Sequence, residues 1–346
     1  CHPARRTRNT ALGGAPAALG RSGGGGGAAR NGAPGAGGSG AVLVRYRAAS
    51  QLQVASGNNQ VGVVNESLAI GPAVLITDNA GNPIGGVAVS FSVASGDGTI
   101  VPTDPIVTNA SGVAQLTSWT LGTVAGEQTL TATVTDLTGS PLTFTATATP
   151  GAPTRLGIKT QPASFVVNGE AFPTQPEIQL LDTWGNVVTE AGIEVTASLE
   201  SGGGVLVGNT TATTNDLGIA VFSDLAIIGR VGPRIIQFGS ASPSTISSIA
   251  VTVQAGSAVG LVMTQQPSSL AQSAVVLAEQ PSVGLIDQSG NQVSEAGVSV
   301  SASLVSGDPS GVLGGTLSAL TDASGVASFS DLVTTGPVDD YGLGFA

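Results

Sequence analysis

The chain has 346 residues, only 10% of them charged and 3% aromatic, with 51 glycines and a formal net charge of −11. Valine, threonine, serine, alanine and glycine dominate, a mixture that suits pleated strands and tight turns rather than helices. A lone Cys1 excludes an intrachain disulfide, and a lone His2 leaves no Ser/His/Asp or Cys/His catalytic set and no zinc site to assemble.

Residues 1–50 read as a low-complexity glycine-rich segment that buries no core and ends in a short strand, Ala41–Tyr46. Its run Gly23–Gly27 follows no strand and lacks the Lys-Ser/Thr of a phosphate loop. The close of the segment, GGSGAVLVRY, resembles the end of glycine-rich domains in phage tail and bacterial surface proteins. A mature lipoprotein also begins with cysteine, but the basic HPARR after Cys1 departs from that pattern. Seven of the eleven basic residues lie in the first 47 positions, where there is no acid. The remainder carries 22 acids against Arg155, Lys159, Arg230 and Arg234, a field that repels phosphates and argues against nucleic acid as a partner. No apolar run approaches the ~20 residues that span a bilayer. With no initiating methionine and no signal peptide, the chain reads as a piece of a longer protein.

Beyond residue 50 the chain repeats. DNAGN at Asp78–Asn82 returns as DTWGN at Asp182–Asn186 and as DQSGN at Asp287–Asn291. TNASGVA from Thr108 returns as TNDLGIA from Thr214 and TDASGVA from Thr321, and KTQP ending at Pro162 returns as TQQP ending at Pro267. The common period of about 105 residues is too long for a solenoid and suits a self-sufficient domain. The expected domains are 51–153, 154–258 and 259–346, with short connections ATPGAP before Thr154 and VQAGSA before Val259.

Within each copy, short strands alternate with Gly/Asn/Asp/Pro turns, the pattern of an antiparallel β-sandwich. Val87, Val89, Phe91 and Val93 alternate with small or polar residues, as do Ile193, Val195, Ala197 and Val298, Val300, Ala302. That period of two places each set on one buried face. Three further columns stay apolar while changing size: Leu116/Phe222/Phe329, Trp119/Leu225/Leu332 and Ala132/Phe238/Phe345. The second copy continues past Phe238 into SSIAVTV, its expected closing strand. The third stops at Ala346, so it is expected to lack that strand and to be unstable alone or to take a strand from another chain.

In order, DNAGNPIGGVAVSFSVASG, TNASGVAQLTSWTLG and AGEQTLTATV resemble the bacterial immunoglobulin-like domain of group 1, the unit of invasin and intimin stalks. The second and third copies depart from it, with VTEAGIEVTASL and VSEAGVSVSASL replacing the NPIGGVAVSF form. The resemblance covers about 300 residues. It implies an all-β chain of three tandem Ig-like sandwiches, extracellular or on a bacterial surface, serving as a rigid spacer with no catalytic residues to carry over. It does not bring the lectin-like tip of those adhesins.

The DxxGN and TNxxGVA elements read as turns: aspartate or asparagine accepts nearby backbone N–H groups, and the glycine takes positive φ. Asp78, Asp182 and Asp287 are also candidates for calcium, which some adhesins use for stiffening. Each turn, however, offers one Asp and one Asn where calcium takes 6–8 oxygens. Trp184, at the tip of its turn, is a candidate partner contact or a packing residue. Asp339–Asp340 is an adjacent acid pair placed in a turn, and Asn65, Asn109 and Asn209 head glycosylation triplets.

The expected function is non-catalytic: the stalk of an adhesin-like protein, with flanking domains of a longer chain as partners. At ~30 Å per domain, three end to end reach on the order of 100 Å. The alternatives are a module whose loops bind a glycan or host receptor, a phage tail or virion appendage, and an accessory region of an enzyme.

Overall fold

The computed structural model describes residues 48–242 and 245–346. Most of the glycine-rich segment, including the strand expected at Ala41–Tyr46, lies outside the described residues. Every described element is a strand, turn or bend, and no helix is long and apolar enough to cross a membrane.

The first copy forms two main sheets and a two-stranded ribbon, Thr99–Val101 with Ser118–Thr120. One has Gln51–Ser56, Ala73–Thr77 and Val113–Gln115, in that order. The other runs Gln60–Val63, Leu142–Thr149, Gly126–Thr133, Ala88–Ser95 and Ile106–Val107. Gln60–Val63 pairs parallel with Leu142–Thr149, and the other pairings are antiparallel. The second copy repeats the plan. Arg155–Thr160, Glu177–Leu181 and Ile219–Val221 form the small sheet. The larger one runs Phe165–Val167, Val251–Gln254, Gly232–Gly239, Glu194–Ser201 and Thr211–Thr213. The expected closing segment SSIAVTV thus contributes Ile246–Ser247 and Val251–Gln254, both against Gly232–Gly239. Closing strands reach Thr149 and Gln254, so the connections are shorter than the sequence suggested, beginning at Pro150 and Ala255.

The third copy keeps the small sheet, Gly260–Gln265, Ser282–Ile286 and Val326–Ser328, but its larger sheet has only three strands, Ser318–Leu320, Ser299–Ser306 and Gly342–Phe345. Gly342–Phe345 pairs with Ser299–Ser306 on one side, and Val275–Val276 joins Val333–Thr335.

Backbone irregularities repeat with the sequence. A bulge follows Val54, Ile158 and Met263 in the opening strands, and Val93, Leu199 and Leu304 in the long central ones. A bulge adds one residue and bends its strand, so each copy is curved at the same two places.

The cores are built from the alternating columns. Val89, Val195 and Val300 are buried, as are Trp119, Leu225 and Leu332 at one position. One cross-strand pair exchanges its sizes. Phe91 faces Ala132 in the first copy, whereas Ala197 faces Phe238 and Ala302 faces Phe345 in the others. The large ring moves to the neighbouring strand with total volume kept, the kind of change a packed interior tolerates. Its new partner is the phenylalanine that replaces Leu116: Phe222 lies 5.5 Å from Phe238 and Phe329 lies 5.4 Å from Phe345, ring centre to ring centre.

Candidate functional site at the repeat junctions

The three DxxGN turns share one internal architecture. The aspartate Oδ1 accepts the N–H groups two and four residues on: Ala80 and Asn82 at 2.9 Å, Trp184 and Asn186 at 2.9 Å, Ser289 at 2.8 Å and Asn291 at 2.9 Å. The glycine sits at φ 81, 93 and 73 in the three turns, where a side chain would be strained.

In the second and third turns the same side chains reach beyond the turn. Asp182 Oδ2 accepts the Gly151 N–H of the connecting segment at 3.0 Å, and Asp287 Oδ2 accepts the Gly256 N–H at 2.8 Å. The asparagines reach back to the preceding copy. Asn186 Oδ1 accepts Ala125 N–H at 2.8 Å while its Nδ2 donates to Thr123 C=O at 2.8 Å. Asn291 does the same with Val231 N–H and Gly229 C=O, both at 2.9 Å. Each asparagine also donates to its own aspartate, at 2.8 and 2.9 Å. One turn therefore binds the connection and the end loop of the previous sandwich at once.

The second junction is more elaborate. Asn168 donates to Asp287 Oδ2 at 2.7 Å and to Ser289 Oγ at 2.9 Å, and Arg230 donates to Gly290 C=O at 2.9 Å. Asp182 and Asp287 are both buried. Burial alone pushes a carboxyl upward, but the donors outweigh it. The Asn186 side chain with the Gly151, Asn186 and Trp184 N–H groups holds Asp182 below its ordinary value. The Asn291 side chain, Gly256 and Asn291 N–H groups and the Asn168 side chain hold Asp287 well below the usual carboxylate range.

The aspartates offered as calcium candidates are thus brought to separate turns, not to one another. Their oxygens face N–H protons, whose partial positive charge opposes a cation. Among the described residues no three His, Cys, Asp or Glu side chains come together as a metal cluster. That donor set does not fit calcium. Asp78 makes the same bonds to Ala80 and Asn82, and Asn82 Nδ2 donates to both of its oxygens, at 3.1 and 3.0 Å.

Trp184 is 44% exposed. A Cβ placed on Gly151 would lie 3.5 Å from its ring, so the indole covers the connecting peptide while keeping an open face. Trp119 is fully buried, as its column suggested.

The end loops that receive the asparagines are themselves pinned, by residues that the sequence did not single out. Gln128 Nε2 donates to Val124 C=O at 2.9 Å, and Arg234 donates to Arg230 C=O. Both pins are buried. In the third copy Tyr341 donates to Pro337 C=O at 3.0 Å. Gln, Arg and Tyr occupy one position of the repeat and fasten the carbonyl four residues before them. Only the shared offset, not residue type, signals this role.

These features define immunoglobulin-like β-sandwiches joined by hydrogen-bonded junctions. Residues 151–257 match the profile of a single such domain, SMCHD1 Ig-like domain 6. No curated protein matches the chain. Among solved structures it is similar to InvD of Yersinia pseudotuberculosis, at 21% identity over 85% of this chain and 84% of that one, TM-score 0.37. It is similar to the D0–D1 domain of intimin, at 15% identity over 59% of this chain and 98% of that one, TM-score 0.24. Invasin, whose structure is titled a bacterial integrin-binding protein, is similar at 17% identity over 85% of this chain and 56% of that one, TM-score 0.30.

Proposed function

We propose that residues 51–346 form the stalk of an extracellular or cell-surface adhesin-like protein, holding flanking domains at a distance, without catalysis and without calcium. The observation that carries this reading is the double grip of the second and third DxxGN turns on the connection and on the previous sandwich. A string of independent binding modules has no use for buried carboxylates spent on their connections. A spacer does, because each hydrogen bond across the junction removes a degree of bending freedom. The absence of histidine after His2 and the acidic surface agree with a passive, solvent-exposed role.

The test is a distance distribution across the first junction. Spin labels at Val107→Cys and Val221→Cys, both exposed positions, in a Cys1→Ser background should give one narrow distribution. Asp182→Ala with Asn186→Ala should broaden it. A broad distribution in the parent chain would refute the stalk reading.

A further inference from the structure

The second junction contains one side chain that the first lacks. Asn168 stands where the first copy has Val64: the backbone N–H of each donates to the last carbonyl of its closing strand, Val64 to Thr149 and Asn168 to Gln254, both at 2.9 Å. Val64 lies in the core of its own copy. Asn168 is instead buried against the next one, with Nδ2 donating to Asp287 Oδ2 and Ser289 Oγ while Oδ1 accepts the Gly229 N–H at 2.8 Å. Its amide is shared between the end loop of one sandwich and the turn of the next.

The residue that follows is glycine. An Asn–Gly pair is the one in which the backbone nitrogen most readily attacks the preceding side-chain amide, because no side chain hinders the approach. Gly169 has φ +84, but Asn65 and Ala274 hold the same position at 61 and 66 in the other copies, so the backbone alone does not demand glycine. The docked turn does favour it, since a Cβ on Gly169 would collide with the Gln288 side chain. Closed, the junction guards the pair. The Gly169 N–H donates to Ile227 C=O at 2.9 Å, and Asn168 is only 4% exposed. Attack needs that N–H free and the Asn168 side chain swung away from Asp287, Ser289 and Gly229, so it proceeds from the open junction at a rate set by the open fraction.

We propose that Asn168 is a self-modification site: when the second junction opens, the Gly169 nitrogen displaces the Asn168 amide as ammonia, and the carboxylate left after hydrolysis keeps the junction open. The Gly169 nitrogen gives its proton to solvent and bonds to Asn168 Cγ. The Cγ–Nδ2 bond breaks, and Nδ2 leaves as ammonia, taking a proton back from solvent. Water then opens the cyclic imide at either carbonyl, leaving aspartate or isoaspartate, with nothing oxidised or reduced. Either product replaces a donor that faces Asp287 Oδ2 at 2.7 Å by a second carboxylate. Two carboxylates at that distance do not both stay ionised and in contact, and isoaspartate also adds a methylene to the main chain. The first junction, with Val64 at this place, has no such pair, so one of the two joints is released and the change runs one way. The inference goes beyond the stalk reading and does not rest on it: it concerns a joint that turns from stiff to loose by its own chemistry.

The experiment ages the full chain in mildly alkaline buffer, folded and in denaturant, and follows Asn168 by peptide mass mapping that separates aspartate from isoaspartate. Asn31, which heads the other Asn–Gly pair of the chain, is scored separately. Loss of the Asn168 amide should be at least about tenfold slower in the folded chain. Asp287→Ala removes the acceptor of that amide and should speed the loss roughly tenfold. Spin labels at Val221→Cys and Leu320→Cys, exposed positions on the two sandwiches, in a Cys1→Ser background read the consequence. Their distance distribution should be narrow in the fresh chain, broad in the aged one and broad without ageing in Asn168→Asp, while the pair Val107→Cys and Val221→Cys across the first junction stays narrow throughout. Equal rates in the folded and denatured chains would overturn the proposal, as would an Asp287→Ala chain that loses the amide no faster than the parent. An aged chain with a carboxylate at position 168 and an unchanged narrow distribution would overturn it as well.

Discussion

The second and third copies share their turns, bulges and central columns, and they differ in one strand. In the second, Gly232–Gly239 is paired on both sides, and Ile236 and Phe238 are buried. In the third, Gly342–Phe345 is paired on one side only, and Leu343 and Phe345 are half-buried. The difference spreads. Phe165–Val167 is a strand because Val251–Gln254 lies beside it. Its counterpart at 270–272 forms none, and Leu270 is exposed. Between the two lies an open cleft of about 450 Å³, lined by Met263, Leu277, Leu343 and Phe345 among others. Two stretches with similar local patterns reach different order because one receives a long-range partner.

The largest expected effect tests whether burial follows that partner. Phe238→Ala should cost about 3–5 kcal/mol in the second copy, while Phe345→Ala should cost well under half of that in the third. Denaturation followed by hydrogen exchange resolves the two transitions, and equal losses would mean that the third core is as closed as the second. The next test closes the cleft. Appending residues 240–258 after Ala346 supplies a strand whose Val251 and Val253 are buried in their own copy. Two valines covered at about 1.5 kcal/mol or more each predict a gain of about 3 kcal/mol. If the transition of residues 259–346 does not move in calorimetry, the cleft is not the place of a missing strand.

Much of this comparison was legible in the sequence. The period and the apolar columns needed only residue types and spacings. The exchange between Phe91/Ala132 and Ala197/Phe238 was half visible, because the columns were aligned but the cross-strand pairing was not. The bulges after Val54 and Val93 were not visible, since register depends on the neighbouring strand. The junction was hidden for a similar reason. Asp182 and Asn186 form a turn by local rules, so nothing local says that the same side chains also hold Gly151, Thr123 and Ala125. Gln128 and Arg234 share no chemistry that marks them as equivalent pins.

A smaller effect sharpens the comparison at the boundary between the two copies. Asp287→Ala leaves Asn168, Asn291 and Gly256 N–H without their acceptor and should cost about 1–3 kcal/mol of junction stability. Asp182→Ala should cost less, because its junction lacks a counterpart of the Asn168 bond. Acid should act in the same direction. Both carboxyls are held below their ordinary value in the folded chain, so their contribution is complete above the unfolded value of about 4 and is withdrawn as pH falls toward the folded value. Protection of the Gly151 and Gly256 N–H groups against exchange, taken relative to the intrinsic rate at each pH from 6 to about 2, should fall on acidification at both sites. A junction indifferent to acid would mean that the bonds to the connections carry no free energy.

The smallest effect is the response to calcium, and its size decides what the recurring aspartates are for. A carboxylate oxygen that already accepts two N–H groups has its lone pairs directed at protons, and a cation must displace them before it binds. At Asp287 that exchange also uncovers Asn168 and Gly256, which then face the ion with the wrong charge. Millimolar calcium is therefore expected to shift the midpoint of thermal unfolding by less than about 1 °C, in the parent chain and in Asp78→Ala alike. A shift of several degrees that disappears in Asp182→Asn or Asp287→Asn would turn these residues from clasps into ligands, and with them the stiffness of the stalk from a fixed property into one set by the surrounding ion.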